Sequence, residues 1–262
     1  MTVILEGGCV VRGMKEGVPS ISGTASVWSQ VSRKTGAKAI SLHILAFAPG
    51  ISPGLSNQDC DQVLYFLEQL DDAIASPQHS TIYVNGFAVQ VGPQTGIYVQ
   101  PHQTLTVENH GTSSIYFVSV QCPEPSTSAN FVDAVLTPTS GSIRSQVPPI
   151  VSLNDRRTIP TADRWYRVLV DAGVGSTLVT QFVGSIPPGR APDHFHEYEE
   201  VLFILKGEGR MWAGASHAPI GPGSCVYLPR QQVHCVENTG RSELRLLGVF
   251  YPAGSPSVRY EA

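Results

Sequence analysis

The stretch of sequence that decides the fold is Gly189-Arg190-Ala191-Pro192-Asp193-His194-Phe195-His196-Glu197-Tyr198-Glu199-Glu200-Val201-Leu202-Phe203-Ile204-Leu205-Lys206-Gly207. Two histidines and a glutamate, His194, His196 and Glu200, are separated by even numbers of residues, and an apolar run follows them. Alternate side chains of a β-strand lie on the same face. The spacing therefore predicts that these three side chains point the same way.

A second segment supplies a fourth candidate ligand. It reads Gly223-Ser224-Cys225-Val226-Tyr227-Leu228-Pro229-Arg230-Gln231-Gln232-Val233-His234-Cys235-Val236-Glu237-Asn238 and contains His234. Three imidazoles and one carboxylate suit Mn, Fe, Co, Ni or Zn, and they leave coordination positions for water or substrate. The sequence therefore predicts one open site for a divalent transition metal, with these ligands: His194, His196, Glu200 and His234.

The two segments resemble the paired motifs of the cupin superfamily. Written as patterns, they are G-x4-H-x-H-x3-E-x6-G and G-x5-P-x-Q-x2-H-x3-N. The first is one residue shorter between Gly and His than the commonest form, and Gln231 stands where the second usually has Gly. Neither change falls on a ligand position. The resemblance implies a cupin barrel, a double-stranded β-helix similar to a jelly roll, with the four residues as metal ligands.

The chain also contains an internal repeat. Residues 63–67 (VLYFL) match residues 201–205 (VLFIL) at an offset of 138, and residues 107–111 match residues 236–240 at an offset of 129. The difference predicts an insertion of nine residues within 68–80 of the first half. Short alternating segments punctuated by 25 Gly and 20 Pro favour strands and turns. The repeat therefore predicts an all-β chain of two tandem cupin barrels, a bicupin.

The repeat also predicts that only one barrel binds metal. Through the two offsets, the four candidate ligands fall on weak or non-ligating residues of the first half: Ser56, Gln58, Gln62 and Leu105. The predicted division is a degenerate barrel at 1–136, a Ser/Pro-rich linker at 137–150 and a metal-binding barrel at 151–262. The first barrel would serve as a scaffold or a dimerisation surface, or it would hold an organic ligand.

Net charge, the absence of long apolar runs and the cysteine count argue against several classes of function. A formal net charge of −4 over 262 residues gives no basic footprint for nucleic acid or for anionic lipid. The N-terminal residues do not show a signal-peptide pattern, and no apolar run reaches the length of a membrane span. The five cysteines are odd in number and scattered, which favours reduced thiols and a cytoplasmic location. A small-molecule partner is therefore expected, with no nucleic acid and no membrane.

Five polar residues on or beside the motif strands are candidates for binding the substrate: Arg190, Gln181, Arg210, Tyr227 and Arg245. An arginine inside the barrel could pair with a substrate carboxylate through two parallel hydrogen bonds. A surface position is the alternative for each of them.

The resemblance implies a mononuclear metal enzyme acting on a small polar organic molecule, by dioxygenation, decarboxylation, isomerisation or hydrolysis. Oxalate decarboxylase and quercetin dioxygenase have a similar ligand set. (S)-Ureidoglycine aminohydrolase is similar in length and in keeping metal only in its C-terminal half, but its ligands follow the order Glu, His, His, Gln. The alternatives are a binding protein in which the metal only anchors the ligand, and a storage role. A homodimer is also implied by the resemblance.

Overall fold

The computed structural model describes residues 1–57, 59–68, 80–125, 130–138 and 149–257, and these contain strands and short 3-10 turns but no α-helix. The strands of the first half are β1 (Val3–Ile4), β2 (Val10–Gly13), β3 (Ser20–Ser22), β4 (Ala25–Val31), β5 (Ser41–Phe47), β6 (Gly50–Ile51), β7 (Gly54–Ser56), β8 (Asp61–Phe66), β9 (Ser80–Val84), β10 (Phe87–Val91), β11 (Thr95–Val99), β12 (Thr104–Asn109), β13 (Ile115–Cys122) and β14 (Phe131–Val132). Those of the second half are β15 (Ile150–Ser152), β16 (Ile159–Thr161), β17 (Arg164–Val170), β18 (Thr180–Ile186), β19 (Gly189–Arg190), β20 (Glu199–Lys206), β21 (Gly209–Ala213), β22 (Ser216–Ile220), β23 (Ser224–Leu228), β24 (His234–Asn238) and β25 (Leu244–Tyr251). The 3-10 turns are Glu6–Gly8, Arg33–Thr35, Leu153–Asp155 and Ala172–Val174.

The described strands form four antiparallel sheets, two for each barrel. The first barrel has a sheet in the order β15-β11-β8-β13-β5-β4-β3 and a second in the order β10-β9-β12-β7-β14, with β6 also paired to β12. The second barrel has a sheet in the order β1-β2-β23-β20-β25-β18-β17-β16 and a second in the order β19-β24-β21-β22. The predicted all-β fold of two tandem barrels is confirmed.

Three apolar cores hold this arrangement together. One fills the first barrel, where the rings of Phe66 and Phe117 stack at 4.5 Å, and another fills the second barrel around Leu202 and Met211. The third lies between the two largest sheets and joins side chains of both halves, such as Val63 and Val201. The repeated run at 63–67 and 201–205 is apolar throughout because successive side chains of each strand face two different cores.

Each barrel is completed by a strand from the other half of the chain. Near the N-terminus, β2 pairs with β23 of the second barrel, with Val10 opposite Tyr227. In the repeat-related position, β15 pairs with β11 of the first barrel, with Val151 opposite Gly96. The domain boundaries at residues 136 and 151 stay a prediction. The sheets show in addition that each barrel takes up a strand from the other half of the chain. Residues 69–79 of the predicted insertion and 139–148 of the predicted linker lie outside the described residues.

The exchange predicts that the N-terminal strand stabilises the second barrel. Val11 is buried in the core of that barrel although it lies near the start of the chain. Val11→Ala removes buried methyl groups and is expected to lower the free energy of unfolding by about 2 kcal/mol, measured by urea denaturation. Ile4→Ala is the control, because Ile4 belongs to the same hairpin but is 73% exposed. Equal stability of both variants and the parent would contradict the assignment.

Candidate metal centre

A single antiparallel bridge brings the first and the last candidate ligand together. The backbone N–H of His194 donates to the carbonyl of His234 at 3.0 Å, and the N–H of His234 donates to the carbonyl of His194 at 2.8 Å. His196 lies in the loop that precedes β20, and Glu200 is the second residue of that strand. The spacing predicted that these side chains share one regular strand, and the structure shows that they do not. Instead, a bridge between two segments aligns His194 with His234.

The turn before His234 adopts a backbone conformation that favours glycine. Gln231, which stands where the motif usually has Gly, has a φ of 60°. Its N–H donates to the carbonyl of His196 at 2.7 Å, and its side-chain amide donates to Glu197 at 3.0 Å. These two contacts hold the turn in the left-handed region, where a residue with a Cβ is less favourable. His102, at the repeat-related position of the first half, has a φ of 63°.

Three imidazole rings converge in the second barrel. One ring nitrogen of each of His194, His196 and His234 lies within 4.8 Å of one in each of the others. Nδ1 of His194 lies 3.0 Å from the carbonyl oxygen of Pro192, and Nδ1 of His234 lies 2.7 Å from that of Gln232. A carbonyl only accepts, so the ring proton of each lies on Nδ1 and the lone pair on Nε2. Such an anchor is typical of metal-ligating histidines.

Burial sets the protonation of these groups. Desolvation, followed by the charges of the neighbouring histidines, lowers the pKa of His196 to about 3, and desolvation with the charge of His194 lowers that of His234 to about 4. The pKa of His194 is lowered as well, mainly by desolvation. All three histidines are therefore neutral at physiological pH, which is the form that binds a metal ion.

Glu200 lies beside the three histidines, with Oε2 3.4 Å from Nε2 of His196. Desolvation raises the pKa of Glu200 to about 8. Since both partners are shifted toward their neutral forms, the contact is not an ion pair in the metal-free chain. Burying a carboxylate without a compensating charge is costly, and a divalent cation at this place would remove that cost. The residues present therefore fit a divalent transition metal.

A cavity of about 450 Å³ opens beside the histidines. The side chains that line it and also belong to the barrel core are apolar or aromatic: Tyr166, Phe182, Ile186, Leu202, Val236 and Leu246. The ring of His196 stacks on that of Tyr198 at 4.5 Å, and Tyr198 stacks on Phe250 at 4.3 Å. The two motifs do not include these wall residues, although side-chain alternation along β18 and β20 would have indicated three of them: Phe182, Ile186 and Leu202.

Of the five residues predicted to bind substrate, Arg190 lines the cavity. Its guanidinium lies 4.3 Å above the ring of Trp212 and donates to Asp193 at 3.1 Å. The other four do not line it, which corrects the expectation that they face the ligand: Gln181, Arg210, Tyr227 and Arg245.

The alternation of strand side chains explains that placement. On β23, Tyr227 packs in the core between the halves, while its neighbour Leu228 faces the barrel interior. On β21, Arg210 is on the outer face, 3.4 Å from Glu237. Gln181 lies on the opposite face of β18 from Phe182, close to Gly96 of the first half, and Arg245 pairs with Glu243 at 2.6 Å.

The register of the first barrel corrects two of the repeat-related positions. Leu105 pairs with Leu55, as His234 pairs with His194, and residue 51 pairs with residue 108 as 190 pairs with 237. The offset is therefore 139 at this point, and the counterparts of His194 and His196 are Leu55 and Asn57 instead of Ser56 and Gln58. Gln58 lies outside the described residues.

The side chains at the counterpart positions are used within the first barrel. The side-chain amide of Asn57 donates to the carbonyls of Cys60 and Gln100, at 2.5 and 3.1 Å. Gln62, the counterpart of Glu200, donates to Ser119 at 2.8 Å. Leu55 and Leu105 are packed in the apolar core. This chemistry does not suit a metal ion, although the absence of a site in the first barrel stays a prediction.

A histidine inside the first barrel predicts a pH dependence of stability. His43 is buried, with Nε2 3.1 Å from Ser41 Oγ, and desolvation lowers its pKa from 6.5 to about 4. As the pH falls below 6.5, the unfolded chain binds a proton that the folded chain does not, so stability is present above 6.5 and is lost as the pH falls toward 4. The expected loss is about 2 kcal/mol between pH 7 and pH 5.

Urea denaturation of the metal-loaded protein at both pH values measures this loss. His43→Asn removes the titrating group and is expected to lose about 2 kcal/mol less than the parent over the same interval. An identical pH dependence of parent and variant would contradict the assignment to His43.

Part of the second barrel matches a known family model. Residues 182–250 match the family described as Cupin domain. Auxin-binding protein 1 of Arabidopsis thaliana is 33% identical over 70 residues, which cover 23% of this chain and 35% of that protein. The oxalate-binding protein of Thermotoga maritima is 36% identical over 66 residues, which cover 24% of this chain and 54% of that protein. The chain thus spans between a third and about half of the length of these relatives.

Solved structures extend the similarity to both barrels. Oxalate decarboxylase of Bacillus subtilis, a protein with Mn(II) centers, superposes with a TM-score of 0.72 at 14% identity, over 94% of this chain and 78% of that one. Protein YlbA from E. coli superposes with a TM-score of 0.71 at 11% identity, over 95% and 93% of the two chains. At these identities the similarity establishes the fold. Separately, the described residues form no helix of the length and apolar character needed to cross a membrane.

Proposed function

Because the chain belongs to the cupin superfamily and has the two-barrel fold of a bicupin, we propose that it is a mononuclear divalent-metal enzyme that acts on a small organic molecule inside its C-terminal barrel. The observation that carries this proposal is the convergence of His194, His196 and His234 beside a cavity of about 450 Å³. A cavity of that size lies in the range of small-molecule sites, about 300–1,000 Å³.

The three histidines and Glu200 would hold the metal. When bound, the metal supplies a Lewis acid that polarises an oxygen of the substrate. The carbonyls of Pro192 and Gln232 fix the orientation of two imidazoles, and the stack on Tyr198 fixes the third. The apolar walls lower the local dielectric constant beside the histidines, which strengthens the electrostatic contacts made there.

The reaction is dioxygenation, decarboxylation, isomerisation or hydrolysis. In each case an oxygen atom of the substrate would lie next to the three histidines. Two neighbours are named for oxalate, one as a decarboxylase and one as a binding protein. We propose from these names that a carboxylate is the group recognised at the histidine end. A homodimer and a cytoplasmic location stay predictions.

A binding protein in which the metal only anchors the ligand is the second candidate. The charged side chains that line the cavity, apart from the four proposed ligands, are already engaged at its rim. Arg164 contacts Asp163 at 3.0 Å, and Arg190 contacts Asp193 at 3.1 Å. Neither contact positions a general acid or base over the histidines, which favours binding without turnover.

Elemental analysis of the purified chain by mass spectrometry tests the proposal first. About one equivalent of Mn, Fe, Co, Ni or Zn per chain is expected. The loaded protein is then assayed for oxygen uptake, for release of CO₂ from carboxylates and for ammonia release from ureidoglycine. Turnover in any of these supports the enzyme, whereas metal with ligand binding and no turnover supports the anchored binding protein. No metal after reconstitution would contradict both.

A further inference from the structure

The guanidinium of Arg190 lies on the outer face of the smaller sheet of the second barrel, over an indole ring. Met211 and Ala213 of β21 are buried in the barrel core, so Trp212 between them faces outward. The guanidinium lies 4.3 Å from the centre of the Trp212 ring, and Nε1 of Trp212 donates to Glu237 at 2.8 Å. A planar guanidinium stacks well on an aromatic face, and such a contact limits its movement. Arg190 is therefore held in one orientation on a fixed ring.

From this position the guanidinium reaches the neighbours of two proposed ligands. Nη2 of Arg190 donates to both carboxylate oxygens of Asp193, at 3.1 and 3.4 Å, and Asp193 directly precedes His194. Nε donates to Sγ of Cys235 at 3.3 Å, and Cys235 directly follows His234. Because His194 and His234 are paired through their backbones, the three side chains of Arg190, Asp193 and Cys235 form a clamp across that bridge.

The clamp occurs in the barrel that has the histidines and has no equivalent in the other. In the register of the paired strands, the counterparts of Arg190, Asp193 and Cys235 are, in that order, Ile51, Gly54 and Thr106. Neither isoleucine nor glycine can form an ion pair. In the same part of the first barrel, Leu55 and Leu105 stand in place of two of the three histidines. The clamp thus accompanies the histidines, which favours a role that is connected with them.

We propose that Arg190 is a positioning residue that keeps His194 and His234 aligned for the metal, and that it is not a substrate-binding residue. Nη2 holds the segment that carries the first histidine, and Nε holds the strand that carries the second. Removing a group that orients a ligand typically lowers metal affinity about 10- to 100-fold. The Arg190 side chain is 42% exposed, so the lower end of that range is expected. This inference rests on the proposed function, because it takes the two histidines as metal ligands.

Competition with a chelator tests the inference by measuring how tightly each variant binds Co(II), the probe for the site. Arg190→Gln removes the clamp and is expected to weaken Co(II) binding about 10-fold and to change the visible absorption of bound Co(II), which depends on coordination geometry. Arg210→Gln is the matched control, because Arg210 is an exposed arginine of the same sheet that pairs with Glu237 at 3.4 Å. The control is expected to keep the affinity and the spectrum of the parent. Equal affinities and spectra of the two variants would overturn the inference.

A lysine at the same position separates the geometry of the clamp from its charge. Arg190→Lys keeps a positive charge beside Asp193, but an ammonium group lacks the planar fork that contacts Asp193 and Cys235 together. The variant is therefore expected to bind Co(II) about as weakly as Arg190→Gln. Recovery of the parent affinity by lysine would show that the charge alone is required and would refute the clamp.

Amide hydrogen exchange of the metal-free chains tests the alignment without the metal. The backbone N–H groups of His194 and His234 donate to each other's carbonyls across the bridge. Without the clamp the bridge is expected to open more often, so both amides should exchange faster in Arg190→Gln than in Arg210→Gln, measured by NMR. Unchanged exchange of these two amides would contradict a role in alignment.

The same measurements separate this inference from the proposed function. If the parent chain binds no Co(II), the proposed function fails, and amide exchange in the metal-free chains still decides whether the clamp aligns the bridge. If the parent binds Co(II) and Arg190→Gln binds it equally well, the metal site stands and only the positioning role is refuted.

Discussion

His234→Ala is expected to reduce bound metal from about one equivalent per chain to less than about a tenth, since loss of a ligand costs more than the 10- to 100-fold in affinity that is typical of removing a group that only orients a ligand. The side chain of His234 provides one of the three ring nitrogens that converge within 4.8 Å. Its backbone makes the bridge to His194, which alanine preserves. The variant is therefore expected to fold and to lose the metal. Mass spectrometry gives the metal content, and thermal unfolding of the metal-free forms verifies the fold.

Two control variants make this result specific. His217 lies on β22 outside the three-histidine cluster, with its ring 4.3 Å from that of Trp212, so His217→Ala tests the loss of an unrelated histidine. Gln62 is the counterpart of Glu200 in the first barrel, so Gln62→Ala tests the other half. Both variants are expected to keep the full metal content. Retention of metal by His234→Ala would mean that the ligands lie elsewhere in the chain.

The convergence of the three histidines could be predicted from the sequence because the motif specifies which residues meet, although it does not specify the backbone that brings them together. His194 and His196 were predicted on a regular strand, but the structure has a bridge and a loop there. The three histidines still converge because backbone hydrogen bonds between two segments that are distant in sequence align His194 with His234. Side-chain alternation alone could not show that pairing.

The repeat predicted two barrels but not the strands that they exchange. β2 carries no motif, and its valines would fit the core of either barrel. Its place beside β23 is decided by tertiary packing, which a local pattern does not contain. The same limit explains the shift of one residue at Leu55, because the offset measured at residue 63 does not register a length change in the loop before it.

Glu199, the neighbour of the proposed ligand Glu200, ties the two halves together. Its carboxylate is 2% exposed and accepts hydrogen bonds from the backbone N–H of Lys38 at 2.8 Å and of Ala39 at 2.7 Å. It also accepts one from the hydroxyl of Tyr227 at 2.7 Å. The N–H donors belong to the first half of the chain and the carboxylate belongs to the second.

A related contact occurs at the repeat-related position. Asp61 accepts a hydrogen bond from the hydroxyl of Tyr98 at 2.9 Å, as Glu199 does from Tyr227. The two carboxylate–tyrosine pairs are related by the offsets of 138 and 129 residues. Both pairs therefore belong to the repeated architecture of the two barrels. In addition, Glu199 accepts hydrogen bonds from the backbone of the first half.

Glu199→Ala is expected to lower the free energy of unfolding by at least about 3 kcal/mol, because three donors lose their acceptor at a buried position and each costs about 1–3 kcal/mol. Urea denaturation measures this loss. Glu208→Ala is the matched control, since Glu208 is an exposed glutamate just after the same strand, and a change within about 0.5 kcal/mol is expected for a surface position. A loss below about 1 kcal/mol in Glu199→Ala would contradict the role of this carboxylate in joining the halves.

A double-mutant cycle of Glu199→Gln and Tyr227→Phe separates the tyrosine contact from the backbone contacts. The hydrogen bond at 2.7 Å joins the two side chains directly, so a coupling free energy of about 1–3 kcal/mol is expected. Because Glu199 begins the strand that carries Glu200, metal affinity is measured in the same variants. Loss of the anchor is expected to weaken metal binding about 10-fold, the lower end of the range for groups that orient a ligand. Unchanged affinity together with a large loss of stability would show that the anchor joins the halves without positioning Glu200.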